Sequence, residues 1–287
     1  MQDLAGRTAI VTGAASGIGL GMARAFAQVG MNVALCDIRQ APLDRALAEV
    51  RGLGARAIAI VTDVSERASV ERAAVEAERE LGRIHVACNN AGVAMHGVPI
   101  ETLPAADWDW VIGVNLYGTL HGVRTFVPHM KAHGEPSHIV STSSMSGLTP
   151  KALAGPYGAT KFAIVGLSHV LRDELKETNI GVSVLCPGWT KTNMPDNGRN
   201  RPERFGGPYD FRKDPLLAAR NKEYVENSAK GLDPLDLAAL VVRAIEENEF
   251  YIMTEPGRRG SVAARYDELM AAFDAVADRL PRILKAS

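Results

Sequence analysis

Short apolar runs, many of them rich in β-branched residues, alternate with longer alanine-rich stretches along most of the chain. Turn-forming residues bound the runs, and polar residues do not recur at every second position within them. Continuous runs of this length are typical of strands that are buried on both faces of a parallel sheet. The predicted strands are TAIVT (8–12), NVALCD (32–37), RAIAIVTD (56–63), IHVACNN (84–90), SHIVSTSS (137–144), GVSVLCP (181–187) and FYIM (250–253).

The stretches between these runs carry apolar residues at helical spacing and predict helices that connect one strand to the next. In one stretch we expect Ser65 to cap a helix that begins at Glu66, and Gly82 to end it. The predicted helices cover 17–29, 40–53, 66–81, 107–133, 157–177 and 235–248. The alternation predicts an α/β fold, a doubly wound parallel sheet of the Rossmann type with helices on both faces.

Two segments depart from this alternation. The stretch NMPDNGRNRPERFGGPYDFRKDP begins a segment, 193–230, that is rich in Pro, Gly, Asn and charge and lacks strand or helix periodicity. Loops this long are uncommon unless they act as lids or are disordered. We therefore expect 193–230 to be a substrate lid, with a solvated connecting loop as the alternative.

The chain ends in a second segment with helical patterning, so we expect 255–287 to be a C-terminal helical extension. Its apolar residues fall on one stripe, made of Tyr266, Leu269, Met270, Phe273 and Val276. With 287 residues, 46% of them hydrophobic, the chain can bury one large core. We therefore expect residues 1–287 to form a single domain.

Charge and composition favour a small-molecule partner. The formal net charge is −1, and the 32 basic and 33 acidic residues are spread along the chain, which is unlike a protein that binds nucleic acid or a membrane surface. No leader pattern and no apolar span of roughly 18 residues occurs, so we expect a cytoplasmic protein. Cys36, Cys88 and Cys186 lie in apolar runs without metal-ligand spacing, which predicts buried structural thiols and no metal.

A glycine-rich turn follows the first predicted strand in TAIVTGAASGIGLGMARAFA, with Gly13, Gly17 and Gly19 before an apolar helix. Glycines let the backbone approach a pyrophosphate, and the amides at the helix start attract it. The spacing is Gly-x-x-x-Gly-x-Gly rather than Gly-x-Gly-x-x-Gly. Asp37, at the end of the second strand, can bind the adenosine ribose and repels a 2′-phosphate, which favours NAD. Arg39 lies two residues further on and leaves NADP possible.

The sequence YGATK places Tyr157 and Lys161 one helical turn apart. A neighbouring ammonium favours the phenolate form of a tyrosine, so this pair predicts a general acid/base with a lowered tyrosine pKa. A second match, Tyr209 and Lys213 in YDFRK, lies in the irregular segment, where the four-residue spacing does not bring side chains together. We expect Tyr209 to be a solvated loop residue.

Several motifs occur in one order along the chain: TGAASGIG (12–19), DV (63–64), NNAG (89–92), Asn115, Ser144, YGATK (157–161) and PGWTKT (187–192). From Leu4 to about Met253 the sequence resembles the short-chain dehydrogenase/reductase family. The resemblance implies an NAD(P)-dependent oxidoreductase that transfers a hydride between nicotinamide and a secondary alcohol or ketone. The sequence is also similar to bacterial Cα-dehydrogenases of lignin-derived aryl ethers and to reductases of bulky ketones, which implies a bulky or aromatic substrate.

The resemblance also assigns residue roles. It makes Tyr157 the general acid/base, Lys161 a ligand of the nicotinamide ribose, Ser144 the residue that holds the substrate oxygen and Asn115 the support of a water leading to Lys161. Ser144 is selected by its thirteen-residue interval to Tyr157, and a satisfied core amide is the alternative for Asn115. The alternatives to Ser144 in STSSMS are Ser141, Ser143 and Ser146.

The remaining expected site residues follow from the same motifs. Thr192 is assigned to the nicotinamide carboxamide, whereas Thr190 stands where the family more often has an aliphatic residue. The expected cofactor-binding residues are Gly13, Ser16, Gly17, Ile18, Gly19, Asp37, Ile38, Arg39, Asp63, Val64, Asn90, Ala91, Gly92, Tyr157, Lys161, Pro187, Gly188, Thr190 and Thr192. The expected substrate contacts are Ser144, Tyr157, Met95, Leu148 and Trp189, of which the last three are equally compatible with core positions.

Other functions fit the sequence less well. A non-catalytic dinucleotide-binding regulator would not need both the tyrosine and the lysine, a sugar epimerase or dehydratase usually has a larger C-terminal domain, and an enoyl reductase spaces the pair more widely. An NADPH-dependent carbonyl reductase remains the alternative. The resemblance further implies a homodimer or homotetramer formed through helices 107–133 and 157–177, with Trp110, Phe126, Phe162 and Val165 as apolar interface residues.

Overall fold

A seven-stranded parallel sheet organises the computed structural model, which describes Met1 and residues 3–286 apart from the side chains of residues 278 and 281–286. The strand order is β3-β2-β1-β4-β5-β6-β7, so the chain winds outward from β1 in both directions and confirms the predicted fold class. All seven predicted strands are present. Their bounds are β1 Thr8–Thr12, β2 Asn32–Asp37, β3 Ala57–Val61, β4 Ile84–Asn89, β5 Ser137–Thr142, β6 Ile180–Cys186 and β7 Tyr251–Met253.

Helices connect the strands, as the sequence predicts, with one interruption and one addition. The predicted helix over 107–133 is broken by a π-helical turn at Ile112–Tyr117. The bounds are α1 Gly17–Gln28, α2 Gln40–Gly52, α3 Arg67–Leu81, α4 Ala105–Val111, α5 Gly118–His133, α6 Gly155–Leu175, α7 Pro215–Ala229, α8 Pro234–Glu247 and α9 Arg259–Ala286.

Apolar side chains fill the space on both faces of the sheet. On one face α1, α2 and α8 contribute Met22, Phe26 and Val241, among others, and on the other face α3, α5 and α6 contribute residues such as Phe126. Phe126 and Trp110 are each only 1% exposed, so both belong to the interior of the chain. The expectation that these two residues form an intersubunit surface is therefore wrong.

The start of α3 also differs from the prediction. The helix begins at Arg67 with Glu66 in the capping position, and the Ser65 hydroxyl donates instead to Asp63 Oδ1 at 2.7 Å. Ser65 is thus used to order the loop after β3, not to cap the helix. Gly82 does end the helix, with the positive φ of 84° that glycine tolerates best.

The segment 193–230 is more regular than its sequence predicts. It contains three 3-10 turns, Met194–Asn200, Glu203–Phe205 and Phe211–Lys213, followed by α7. Asp214 caps α7, since its Oδ1 accepts from the amides of Leu216 and Leu217 at 2.9 and 3.1 Å. The buried residues of α7 are Asn221 and Ser228, so the helix packs through polar side chains. Its sequence therefore has no apolar residues at helical spacing that would predict a helix.

The chain divides into two compact units, Met1–Thr254 and Glu255–Ser287, and the second begins where the sequence places the extension. The second unit contains α9, and the predicted apolar stripe on this helix is exposed, for example Phe273 at 64%. In the first unit, Cys36, Cys88 and Cys186 are buried free thiols, as predicted. No described helix is long and apolar enough to cross a membrane.

Candidate active site

The carboxyl ends of β1, β4 and β5 meet at one edge of the sheet, where Asn90 joins them. Its Nδ2 donates to Thr12 O at 2.9 Å, its backbone amide donates to Thr12 Oγ1 at 2.9 Å, and its Oδ1 accepts from Thr142 Oγ1 at 3.2 Å. These bonds hold the loop that carries Ala91 and Gly92 against the sheet. The predicted NNAG motif therefore fixes the floor of a site at this edge.

The glycine turn between β1 and α1 leaves room for a ligand backbone. Gly13 has φ +69°, which a side chain would strain, and a Cβ on Gly19 would lie 2.2 Å from Gly13 O. The amides that open α1 point their partial positive charge out of this turn. The residues present therefore fit a dinucleotide pyrophosphate.

Asp37 closes β2 beside this turn. Its Oδ2 accepts from the Ala15 amide at 3.1 Å and its Oδ1 from the Arg39 amide at 3.3 Å. Burial raises the pKa of Asp37 above its ordinary value, and these backbone bonds oppose that rise. The carboxyl group is thus held at the strand end where a ribose is expected.

Two cavities collect many of the expected cofactor residues. A cavity of about 80 Å³ is lined by the predicted Gly13, Asp37, Ile38, Asp63, Val64, Ala91 and Gly92. A larger one, of about 510 Å³, is lined by the predicted Gly17 and Thr192. Asn200 and Pro202 also line the first cavity, so the segment 193–230 covers part of the expected cofactor site.

Five further predicted cofactor residues have local roles or contacts within the protein, and three of them make hydrogen bonds there. Pro187 O accepts from Met145 N at 2.9 Å, and the Gly188 amide donates to Thr254 Oγ1 at 2.9 Å. Thr190 is buried, with its hydroxyl turned toward Gly188 O at 3.3 Å. Ser16 precedes α1 without a side-chain capping bond. The neighbouring Ile18 packs against the core.

Tyr157 and Lys161 lie one turn apart near the start of α6. The Lys161 ammonium is 5.5 Å from the centre of the Tyr157 ring and donates to Thr142 O at 2.8 Å, so it reaches the end of β5. The Ser144 hydroxyl neighbours the Tyr157 phenol and acts to lower its pKa. The Ser143 hydroxyl, in contrast, donates to Lys161 O at 2.7 Å. The geometry thus separates the two serines, with Ser144 beside the phenol and Ser143 fixing the helix to the strand.

Burial governs the ionisation of this pair. Burial lowers the pKa of Lys161 to about 8 and raises the pKa of Tyr157, and the neighbouring Ser144 hydroxyl opposes the rise at Tyr157. The expectation that Lys161 lowers the tyrosine pKa in the chain by itself is therefore wrong. The lysine is itself buried and bonded to Thr142 O, so its charge does not offset the desolvation of the phenol.

Asn115 lies in the π-helical turn and is fully buried. Its Oδ1 accepts from Val93 N at 2.8 Å, and its Nδ2 donates to Val93 O at 2.9 Å and to Thr160 Oγ1 at 3.1 Å. Both amide hydrogens are thus used within the protein. The water relay through Asn115 remains a prediction. A water could donate either to the second lone pair of Asn115 Oδ1 or to the Asn115 backbone carbonyl.

The other predicted substrate contacts are Met95, Leu148 and Trp189. Met95 lines a narrow cavity of about 20 Å³ between the fixed part of the site and the segment 193–230. Leu148 is buried just after the Ser144 turn. Trp189 packs against Tyr224 of α7, with ring centroids 5.4 Å apart, and lies under the Lys151 ammonium.

Sequence analysis missed His96 and Tyr224. The His96 ring is 4.6 Å from the Tyr224 ring and 5.0 Å from the Tyr157 ring, so a row of aromatic rings runs from Trp189 to Tyr157. Tyr224 belongs to the helix that the apolar pattern did not predict. His96 lies four residues after Gly92 of the NNAG motif, and its proximity to that motif is the one signal that the sequence offers.

Tyr209 is not a solvated loop residue, and that expectation is wrong. Its hydroxyl donates to Met95 Sδ at 3.3 Å, and its ring meets Trp110 edge-on at 6.2 Å. Burial raises its pKa to about 12. Lys213 is exposed, so the two residues form no pair of the kind seen at Tyr157 and Lys161, as expected.

Comparisons with known proteins agree with this arrangement. Residues 7–203 match the short chain dehydrogenase family. The C alpha-dehydrogenase of Sphingobium sp. is 38% identical over 278 residues, which cover 96% of this chain and 88% of that protein. The 1-deoxy-11-beta-hydroxypentalenate dehydrogenase of Streptomyces exfoliatus is 34% identical, with coverage of 92% and 88%.

A solved structure extends the similarity to the whole fold. A short chain dehydrogenase/reductase from Burkholderia phymatum, crystallised in complex with NAD, superposes with a TM-score of 0.90 at 35% identity, covering 95% of this chain and 97% of that chain. The chain therefore belongs to the short-chain dehydrogenase family. It is an NAD(P)-dependent oxidoreductase that acts on the CH–OH group of a secondary alcohol or on the corresponding ketone.

Replacing Lys161 by Met provides a test of the buried charge. The lysine has a pKa of about 8 in the folded chain against 10.5 in the unfolded chain, so between these values the unfolded chain binds more protons. Wild-type stability should therefore rise relative to Lys161→Met by about 2–3 kcal/mol between pH 7 and pH 10. Urea unfolding at fixed pH values measures the difference, and a difference that does not change with pH would contradict a buried ammonium.

Proposed function

We propose that the protein is an NAD-dependent dehydrogenase of bulky, aromatic secondary alcohols, with Tyr157 as general acid/base. The observation that carries the proposal is the junction of two sets of side chains at Tyr157. Ser144 and Lys161 neighbour this tyrosine, and the ring of His96, which belongs to a row of aromatic rings, lies 5.0 Å from the Tyr157 ring. Proton-transfer groups and a surface for an aryl group are thus adjacent.

Three residues of the chain have different roles at the reacting alcohol. When bound, the nicotinamide supplies the hydride acceptor and, in its oxidised form, a positive charge. Ser144 orients the substrate oxygen toward Tyr157, and the Tyr157 phenolate takes the hydroxyl proton. Lys161 lies one helical turn away and offers a donor to ribose hydroxyls, and its charge would favour the phenolate together with the positive charge of a bound oxidised nicotinamide. In ketone reduction the protonated phenol donates to the same oxygen.

The aromatic row supports an aryl substrate. Trp189, Tyr224 and His96 present successive ring contacts at 5.4 and 4.6 Å, and aromatic groups pack favourably on such faces and edges. The relative from Sphingobium sp. is named a C alpha-dehydrogenase, and the relative from Streptomyces exfoliatus a hydroxypentalenate dehydrogenase. Both names denote dehydrogenases, and the second names a hydroxylated substrate, so they agree with an alcohol as the substrate.

A preference for NAD over NADP follows from Asp37. A 2′-phosphate beside this carboxylate would be repelled, and Arg39 is engaged with Asn200 Oδ1 at 3.3 Å. Wild-type protein should show a higher kcat/KM with NAD than with NADP. In Asp37→Ala the ratio of these two kcat/KM values should fall by about tenfold or more. A higher kcat/KM with NADPH and ketone would favour the carbonyl reductase alternative instead.

The segment 193–230 is proposed to be a lid over both ligands. It is attached through polar contacts: Arg204 bonds Asp63 Oδ2 at 2.6 Å, Arg201 pairs with the buried Asp107, and Asn197 exchanges two hydrogen bonds of 3.1 Å with the Ala94 backbone. The cavity beneath it, about 20 Å³, holds about one water. A bulky alcohol can therefore enter only if the segment moves.

The glycines and aromatic residues of this lid have distinct positions. Gly206 and Gly207 have φ values of +104° and +75°, so they suit a bending point. Gly198 serves close packing instead, because a Cβ there would lie 2.5 Å from Tyr209 O. Phe205, Tyr209 and Phe211 face the protein. Leu216 does not, since it is 57% exposed and Leu217 lines the cavity in its place.

Limited trypsin digestion tests the lid. In the Tyr157→Phe variant, which should bind the alcohol without consuming it, cleavage after Arg199, Arg204 or Arg212 should slow about tenfold when NAD and a diaryl carbinol are both present, because closure protects these bonds. Cleavage at Arg265 in α9 is the internal control and should not change. Equal rates at the lid sites with and without ligands, at concentrations where binding is independently measured, would contradict a closing lid.

Tyr157→Phe tests the proposed catalysis directly. The variant should keep its fold and cofactor affinity but lose roughly 10²–10⁴-fold in kcat, the usual contribution of a proton-transfer group. Tyr209→Phe is the matched control, since it removes a buried hydroxyl on the lid side and should change KM more than kcat. Near-normal kcat in Tyr157→Phe would contradict the assignment.

We also propose a homodimer or homotetramer. Phe162 and Val165 on α6 are only partly buried, and on the same helix Val170 is 54% exposed. With Trp110 and Phe126 assigned to the core, these α6 residues carry the proposal, because exposed apolar side chains grouped on one helix favour an interface. Light scattering should give the mass of two or four chains, and a monomeric mass at assay concentration would contradict it.

A further inference from the structure

His96 occupies a place in the active site that no step of the proposed mechanism uses. Its imidazole lies in the loop after β4, between the ring of Tyr157 at 5.0 Å and the ring of Tyr224 at 4.6 Å. The His96 ring thus neighbours the tyrosine that is proposed to hold the substrate oxygen. His96 is therefore positioned to contact the part of the substrate next to the reacting carbon.

The Nε2 atom of His96 is buried and has no hydrogen-bond partner among the described residues. The other six histidines of the chain differ in this respect, since each has a ring nitrogen within hydrogen-bonding distance of a protein atom. The pairs are His85 with Glu135, His121 with Val64 O, His129 with Glu78, His133 with Ile84 O, His138 with Ser183 and His169 with Tyr251. A buried polar atom left unpaired is costly, so its position in the site calls for a ligand.

The loop around His96 is held from both sides, so the unpaired nitrogen does not result from a loose segment. His96 O accepts from Asn221 Nδ2 at 3.3 Å, and Gly97 O accepts from Arg220 Nη1 at 2.8 Å. On the other side the Gly97 amide donates to Leu153 O at 2.9 Å. The backbone fixes where the ring can lie, and α7 of the lid supplies two of these three bonds.

The ionisation of His96 limits the kind of group that it can bind. Burial and, to a smaller extent, the neighbouring Lys151 charge lower the pKa of His96 to about 4. The ring is therefore neutral at physiological pH, with one nitrogen as donor and the other as acceptor. A neutral imidazole suits an uncharged oxygen, such as a hydroxyl or an ether, better than a carboxylate.

We infer that His96 Nε2 hydrogen-bonds an uncharged oxygen on a carbon next to, or one removed from, the carbinol carbon. His96 thereby selects aryl carbinols that carry this second oxygen over analogues that lack it. A site built to bond a substrate oxygen rejects the analogue without it, because the protein group is then left unpaired. This inference rests on the proposed function and adds a specificity-determining residue to it.

A matched pair of substrates tests the inference. Wild-type protein should show a kcat/KM about tenfold or more higher for a 1-arylpropane-1,2-diol than for the 1-arylpropan-1-ol that lacks the second hydroxyl. In His96→Leu this ratio should fall to about one, because activity on the diol falls by a larger factor than activity on the simple alcohol. His96→Gln, which keeps a donor and an acceptor, should recover part of the preference.

The controls separate the possible failures. Lys151→Met should keep the preference, because its ammonium lies over Trp189 and not at the unpaired nitrogen. A wild-type ratio near one, or a ratio that survives in His96→Leu, would overturn the inference even if both alcohols are oxidised. If His96→Leu does not fold, as judged by circular dichroism, the test rests on the diol-to-alcohol ratio of kcat/KM in wild-type protein and in His96→Gln. Failure to oxidise either alcohol would overturn the proposed function, and this inference with it.

Discussion

The burial of one ammonium group, that of Lys161, is the constraint on which the rest of the site depends. The side chain is 2% exposed, and its burial lowers the pKa to about 8. A buried cation is tolerated only where oxygen acceptors surround it, and here Thr142 O supplies one at 2.8 Å. The end of β5 and the start of α6 must therefore lie in contact. Gly147 permits this approach, since a Cβ at this position would lie 2.6 Å from Lys161 O.

The same contact organises both sides of the active site. Toward the cofactor, Lys161 Nζ lies beneath Gly92, 3.5 Å from where a Cβ of that residue would lie, so the NNAG loop and the lysine share one corner. Toward the substrate, Tyr157 begins the row of aromatic rings. The fixed part of the site is thus rigid, because strands and buried hydrogen bonds hold it. The covering segment is joined to it by ion pairs and hydrogen bonds, which water could replace in the proposed opening of the segment.

The sequence was sufficient to predict the features that depend on the spacing of apolar residues or on local backbone chemistry. The seven strands follow from continuous apolar runs, and the cofactor turn follows from glycines that no other residue could replace at Gly13 and Gly19. The pairing of Tyr157 with Lys161 follows from helical spacing, and the choice of Ser144 from its interval. The positions of both residues are those that the family resemblance implies.

Features that depend on burial in the folded chain could not be predicted from the sequence in the same way. The helix α7 docks through Asn221 and Ser228, which give no apolar period, so Tyr224 was missed with it. The environment of Tyr209 depends on Met95 and Trp110, which are distant in sequence. The raised pKa of Tyr157 likewise reflects how deeply the whole site is covered, a quantity that the spacing of a tyrosine and a lysine does not contain.

The central claim is that this site moves a hydride directly from the carbon of an aryl secondary alcohol to NAD. The most direct measurement uses an alcohol deuterated at the carbinol carbon and follows the products by NMR and mass spectrometry. The account predicts a ketone together with reduced nicotinamide that carries the deuterium at ring carbon 4. Reduced nicotinamide without deuterium, or a ketone formed without any reduced nicotinamide, would contradict it.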